Sequence, residues 1–114
     1  VLDESVVRRI VGSVAVMAEQ LDQLIACARM SGIVLQVLPF TAGDHAGTDG
    51  PVTVYDFNDH ATVVYAECNR GGRIVEDSPE VAELLTVVNM VRASALSPRA
   101  TLDLLTKVRS ELDE

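Results

Sequence analysis

The chain contains no tryptophan and only two Phe and two Tyr. Its core must therefore be aliphatic, built from Val, Leu, Ile and Ala. Positive charge is scarce as well: nine Lys and Arg stand against seventeen Asp and Glu, for a formal net charge of -8. Between Met30 and Asn69 there is no Lys or Arg at all. Binding to nucleic acid draws much of its free energy from cationic side chains that displace counterions from phosphates. This surface lacks them, which makes the chain a poor nucleic-acid binder by itself. The excess acid suits solubility or a basic partner surface and does not choose between them. The two cysteines, Cys27 and Cys68, stand far apart with no C-x-x-C. That predicts two reduced, half-buried thiols in a cytoplasmic protein; a disulfide between them is geometrically possible, with nothing in the spacing to support it. No apolar run reaches membrane-spanning length, and no charged and apolar leader is present. Internal repeats and low-complexity segments are absent too.

What remains is the composition of one ordinary globular domain, spanning residues 1–114. Hydrophobic residues make up 48 % and charged residues 23 %, which rules out wholesale disorder. A chain of this size buries roughly two-thirds of its unfolded surface and needs no staple.

The patterning predicts helices at both ends. Asp3 can cap a helix from Glu4 to Val11, with Leu2 and Val7 as a hydrophobic staple and Gly12 as the stop. Ser13 can cap a second helix from Val14 to Met30, along which Val14, Met17, Leu21, Leu24 and Ala28 recur at helical spacing. "IVLQVLP" is too short for a buried helix and reads as a strand covered on both faces, ended by Pro39. "VTVYDF" and "ATVVYAE" predict strands over 52–57 and 61–67, joined by a tight turn at Asn58–His60. "NRGGR" predicts another turn, and "RIVE" a short edge strand. Two helices follow. Ser78 with Pro79, and Ser97 with Pro98, each place a cap before a proline at the first helical position. Their buried stripes are Val81, Leu85, Val88, Val91 and Ala95, then Leu102, Leu105, Val108 and Leu112. The short connection "ALSP" predicts that these last two helices pack on each other.

The fold expected is mixed α/β, bordering on α+β. It has a small mixed sheet of three to four strands, helices before it and a helix pair after it. The opening reads as the end of a strand–helix–strand crossover whose first strand is only "VL". The chain begins at "VLDE" without Met, which is expected of a fragment lacking a preceding strand.

The stretch "PFTAGDHAGTDGP", from Pro39 to Pro51, is the first candidate for chemistry. Its glycines at 43, 47 and 50 fit neither G-x-x-x-x-G-K-S/T nor G-x-G-x-x-G. No lysine is near, and Asp44 and Asp49 would repel phosphate. A metal reading would gather Asp44, His45, Asp49, Asp59 and His60 from two connections, with carboxylate and imidazole as donors. Here the spacing matches no established helix or calcium-loop pattern, and the plainer reading is turn geometry. A nucleophile reading would set Cys68 beside His60 across the hairpin. Glu67, an acid at the end of an apolar strand, is either solvated, paired with Arg70 or Arg73, or a functional acid in a pocket.

"VLDE", "VRRIVG", "VMAEQLDQL", "LQVLPF", "GDHAG", "VVYAE" and "ALSP" occur in this order. Together they resemble the C-terminal domain of unknown function that follows an Xre-type helix-turn-helix in actinobacterial regulators, the Scr-like, toxin–antitoxin-like transcriptional regulators. One departure is Pro51–Val52, where that family tends to start its strand with a bulkier residue. The resemblance implies a cytoplasmic regulatory domain, antitoxin-like, whose partner is a small companion protein or a small-molecule effector. DNA would be bound only through an N-terminal domain outside this chain; no membrane is involved, and a homodimer is admitted. It carries over no catalytic residue, no metal and no cofactor. The contact candidates are Asp44, His45, Asp49 and Glu67. Two rivals follow from the residues themselves: a metal-assisted hydrolase using Asp44, His45, His60 and Glu67, and a purely structural dimerisation module.

Overall fold

The computed structural model describes residues 1–43 and 50–114. Their elements run β1 (Leu2–Asp3), α1 (Glu4–Arg8), α2 (Val14–Ala28), β2 (Val37–Leu38), a 3-10 turn (Phe40–Ala42), β3 (Val52–Tyr55), β4 (Val63–Cys68), β5 (Gly71–Val75), α3 (Ser78–Ser94) and α4 (Pro98–Glu111). This is the mixed α/β architecture expected, with a three-stranded antiparallel sheet and a separate parallel pair. The elements pack into two compact units. One comprises residues 1–43 and 94–114, the other residues 44–93.

The helical unit is organised around the parallel pair. Leu2 faces Val37 and Asp3 faces Leu38, and the Leu2 N–H donates to the Gln36 carbonyl at 2.9 Å. The connection between them carries α1 and α2, so the short crossover read from "VL" is present. Asp3 does cap α1, its carboxylate accepting from the Ser5 N–H at 3.0 Å. However, α1 stops at Arg8, because Arg9 is already extended and Gly12 lies at φ +80°. Ile10 and Val11 remain exposed; two β-branched residues with no core face to bury give a helix little reason to continue. Ser13 caps α2 through the Val16 N–H, and the helix ends at Ala28, two residues early. Met17 and Leu21 are buried, whereas Val14, placed on the same stripe by its spacing, is exposed.

Only Val37 and Leu38 of "IVLQVL" form ladder structure. A strand exists only where it has a partner, and β1 offers two residues. Val34, upstream, is 72 % exposed. The second edge of β2 is closed by side chain and loop. The Val37 N–H donates to Thr101 Oγ1 at 3.0 Å, its carbonyl accepts from the Leu96 N–H at 2.8 Å, and Gln36 Nε2 donates to the Leu96 carbonyl at 3.0 Å. Around this seam Val7, Leu21, Val37, Leu105 and Val108 form a buried cluster, flanked by Leu24, Ile25, Leu35, Leu96, Leu104 and Leu112. The helix partners of α4 are chiefly α2 and α1. Ser97 and Pro98 start α4 as expected, with the Ala100 N–H donating to Ser97 Oγ at 3.1 Å.

Glu4 ties the start of α1 to the chain beyond β2. One carboxylate oxygen accepts from the Phe40 N–H at 2.8 Å, and the other from Arg8 Nε at 2.5 Å. Partial burial pushes this carboxyl up, but the Phe40 N–H and the Arg8 guanidinium outweigh it and hold it below its ordinary value near 4.5. A depressed carboxyl contributes stability that is present above its unfolded value and lost as pH falls through its folded value.

In the sheet unit β3, β4 and β5 form a meander in chain order. Val54 faces Val64, Val64 faces Val75, and Tyr65 stands between Thr53 and Ile74. Alternation turns Val52, Val54, Val64 and Val75 to one face, where they pack with Val81, Leu84 and Leu85 of α3. The hairpin between β3 and β4 is wider than the turn read from Asn58–His60, because the ladder ends at Tyr55 and Val63. Two-residue hairpin turns favour positive φ at a central position; no non-glycine residue among those described adopts it. Thr62 Oγ1 instead closes the neck by donating to Asp56 Oδ1 at 2.6 Å. "RIVE" does contribute an edge strand, β5, which starts earlier, at Gly71. The acceptor at the head of α3 is Asp77, which takes the Glu80 N–H at 3.4 Å, with Ser78 already inside the helix. Arg73 of β5 pairs with Glu80 of α3. Their mutual hydrogen bond lowers the Glu80 carboxyl and raises the Arg73 guanidinium.

Two substitutions test the seams of the helical unit. Thr101→Val keeps the volume but leaves the buried Val37 N–H without an acceptor; chemical denaturation is expected to show a loss of about 2 kcal/mol, with Thr101→Ser retaining most of the stability. Glu4→Gln removes a charge-assisted bond and is expected to cost about 1 kcal/mol at neutral pH. From the sign above, the gap between Glu4→Gln and the parent narrows as pH falls through and below 4.5, which denaturation across that range reads directly.

Candidate functional site

A surface hollow of the sheet unit lies at the β4–β5 turn. Gly50, Pro51, Tyr65, Glu67, Cys68, Asn69 and Gly71 line an open hollow of about 590 Å3. Local backbone geometry explains why these residues meet. The Glu67 N–H donates to the Pro51 carbonyl at 3.0 Å, so the chain entering β3 is laid beside the end of β4. Gly50 makes this approach at φ +118°, where a Cβ would stand 2.8 Å from the Glu67 carbonyl oxygen. No other residue fits that position without a shift of backbone. Across the turn Cys68 faces Gly71, and Cys68 Sγ donates to the Gly71 carbonyl at 3.1 Å. Gly72 is the second glycine demanded by contact: a Cβ there would meet Tyr65 Oη at 2.5 Å and the Ala66 carbonyl at 2.9 Å. The Tyr65 side chain thus lies over a strand position left bare for it.

Alternation along β4 turns Tyr65 and Glu67 to the same face, opposite the valine core. Glu67 is exposed, and its carboxylate has no hydrogen-bond or ion-pair partner among the described residues. The pairing with Arg73 considered from sequence is not made, since Arg73 engages Glu80. Arg70 sits in the adjoining turn and forms no ion pair among the described residues.

Of the sequence candidates, Glu67 lines the hollow. Asp44, His45 and Asp49 lie outside the described residues. His60 lies beyond the Tyr55–Val63 end of the hairpin, while Glu67 is at the other end. Four residues of strand separate Val63 from Glu67, about 13 Å. No single coordination sphere or proton relay holds both His60 and Glu67, since ligand bonds are near 2 Å, and the same gap separates His60 from Cys68. His60 makes local contacts: its Nδ1–H donates to the Ala61 carbonyl at 2.7 Å, and its ring meets Phe57 edge-on at 5.6 Å. Among the described residues no group of three or more His, Cys, Asp and Glu could hold a metal ion. Both cysteines are free. Cys27 is half-buried as expected, while Cys68 is exposed at the rim of the hollow.

Sequence reasoning missed Tyr65, Asn69 and Gly71 as partners of Glu67. The alternation in "VVYAE" already places the tyrosine and the acid on one face. That the turn after Cys68 folds back to the residues preceding β3 is carried by no local signal.

The family model described as Domain of unknown function (DUF5753) matches residues 1–107. The chain belongs to this family, an uncharacterised domain. No curated protein matches the chain, nor does any solved structure. No described helix is long and apolar enough to cross a membrane.

Gly50→Ala tests the packing that forms the hollow. With strained φ and a backbone contact at the new Cβ, it is expected to cost about 2 kcal/mol in chemical denaturation, and to shift the amide resonances of Glu67 and Cys68.

Proposed function

We propose that this chain is the regulatory, partner-binding domain of a helix-turn-helix transcriptional regulator of the Xre type, antitoxin-like, acting in the cytoplasm. The observation that carries the reading is the hollow at the β4–β5 turn, where a Glu67 carboxylate with no partner among the described residues stands beside Tyr65 on the sheet face turned away from the core. The ordered motifs from "VLDE" to "ALSP" support the association with a DNA-binding domain. The net charge of -8 agrees with a domain that leaves DNA contact to another part of the protein. In mechanism, occupation of the sheet unit by a small companion protein or an effector biases the attached DNA-binding domain. A ligand shifts such an equilibrium only by its differential affinity for the two states. The metal-assisted hydrolase and the dimerisation module are rival proposals that no described residue favours.

The test is the full-length native protein. The native gene is expected to encode a helix-turn-helix upstream of "VLDE". Gel-shift titration on its own promoter is expected to show an operator affinity that changes at least five-fold when the neighbouring gene product is added. Absence of the upstream motif, or an affinity indifferent to the companion, overturns the reading.

A further inference from the structure

The chemistry of the hollow narrows what the partner must present, and this inference rests on the partner-binding reading above. Among the described residues the lining offers one formal charge, the Glu67 carboxylate, next to one aromatic ring, Tyr65, two residues apart on the same face of β4. Two residues of strand span about 7 Å, a distance that a single cationic head group can bridge with its charge on the carboxylate and its edge on the ring. A cation over a tyrosine face is attracted by the ring quadrupole, and guanidinium on carboxylate makes paired, charge-assisted hydrogen bonds. Among the described residues an anion would find only Arg70, on the turn next to the lining residues. No Lys or Arg lies between Met30 and Asn69, so β3 and most of β4 carry no internal cation to neutralise Glu67. Arg73, the cation on β5, is held by Glu80 on the core side.

Shape decides the size of the occupant. The hollow is open, and on the same outward face of the sheet Tyr65 is paired with Ile74 and Tyr55 lies one row further on. Ile74 is 64 % exposed and Tyr55 48 % exposed. A buried metabolite site encloses most of its ligand, and this one does not. Among the described residues β5 is also a sheet edge, with one side of its backbone unpaired, and sheet edges accept an added strand.

We infer that the hollow takes the guanidinium or ammonium group of a side chain from a basic partner polypeptide. That group sits on Glu67 and Tyr65, and the apolar neighbours of the partner residue cover Tyr55 and Ile74. Glu67 is the specificity residue and Tyr65 the platform.

The experiment uses the whole 114-residue chain, isotopically labelled, titrated with a blocked Leu-Arg-Leu tripeptide. The neutral isostere Leu-citrulline-Leu is run in parallel, as is agmatine for a free small cation, all at fixed ionic strength. One charge-assisted contact with a ring predicts a Kd of about 1 mM for the arginine peptide. Chemical-shift changes are expected at Tyr65, Glu67, Cys68, Asn69, Gly71, Gly72 and Ile74. The citrulline peptide is expected to bind at least ten-fold more weakly, and Glu67→Gln to weaken the arginine peptide by a similar factor with the citrulline peptide unchanged. Glu67 is exposed, so the remaining amide spectrum of this variant reports that it is folded. Tyr65→Leu keeps an apolar residue at the site and is expected to weaken binding several-fold. Equal binding of the arginine and citrulline peptides, shifts that map elsewhere, or no shift at several times the expected Kd overturns the cation assignment. Agmatine binding as tightly as the tripeptide overturns the polypeptide assignment. DNA and companion protein are absent throughout, so failure here leaves the regulator reading to the promoter experiment.

Discussion

The helical unit depends on the peptide group of Val37. This residue is fully buried, so its N–H and carbonyl must both find partners or cost the unit several kcal/mol. The parallel partner β1 is two residues long and serves one edge of β2. The other edge is served by α4: its buried Thr101 hydroxyl takes the N–H, and the Leu96 N–H ahead of the helix reaches the carbonyl. This pins the C-terminal helix to a strand more than sixty positions earlier. It brings Leu105 and Val108 against Leu21 and Val7, and it explains a threonine in the middle of an otherwise aliphatic core. No buried polar side-chain atom among the described residues lacks a partner, as a core with so few polar members requires.

The sheet unit solves a different problem with different means. A three-stranded meander has one face to bury and one that stays wet. Its valines bury against the first half of α3, and Arg73 to Glu80 clips the free edge strand to the same helix. That division leaves Tyr65, Glu67, Tyr55 and Ile74 on the outer face, and turns the β4–β5 end into the hollow. Two glycines, Gly50 and Gly72, mark where backbone and ring approach too closely for a side chain. The outward face of the sheet is thus a by-product of how the core is satisfied.

Much of this was legible in the sequence. The caps Asp3, Ser13 and Ser97 work as read, because an N-cap is a contact within a few residues. Hydrophobic period placed Met17, Leu21, Leu105 and Val108 inside. Errors arose where a local signal was overruled by distant pairing. "IVLQVL" has the composition of a six-residue strand and forms two residues of ladder, since β1 gives it no more partner. The packing of α4 on α2 and α1 rests on the Thr101–Val37 bond and the stripe of Leu105 and Val108, contacts between residues far apart along the chain that no local signal carries. The acid at Glu67 could be singled out as the end of an apolar strand, but its neighbours could not.

By itself, then, the sequence determined the aliphatic core, the caps of α1, α2 and α4, the class of fold and the acidic field. All of these follow from composition or from contacts between residues close along the chain. Only tertiary structure decided which face of β4 is open, that Glu67 stands beside Tyr65 while His60 is at the far end of the hairpin, and that Thr101 closes the edge of β2. Those outcomes depend on strand register and on which backbone groups find partners across the fold, quantities that residue order constrains only through the whole set of pairings at once.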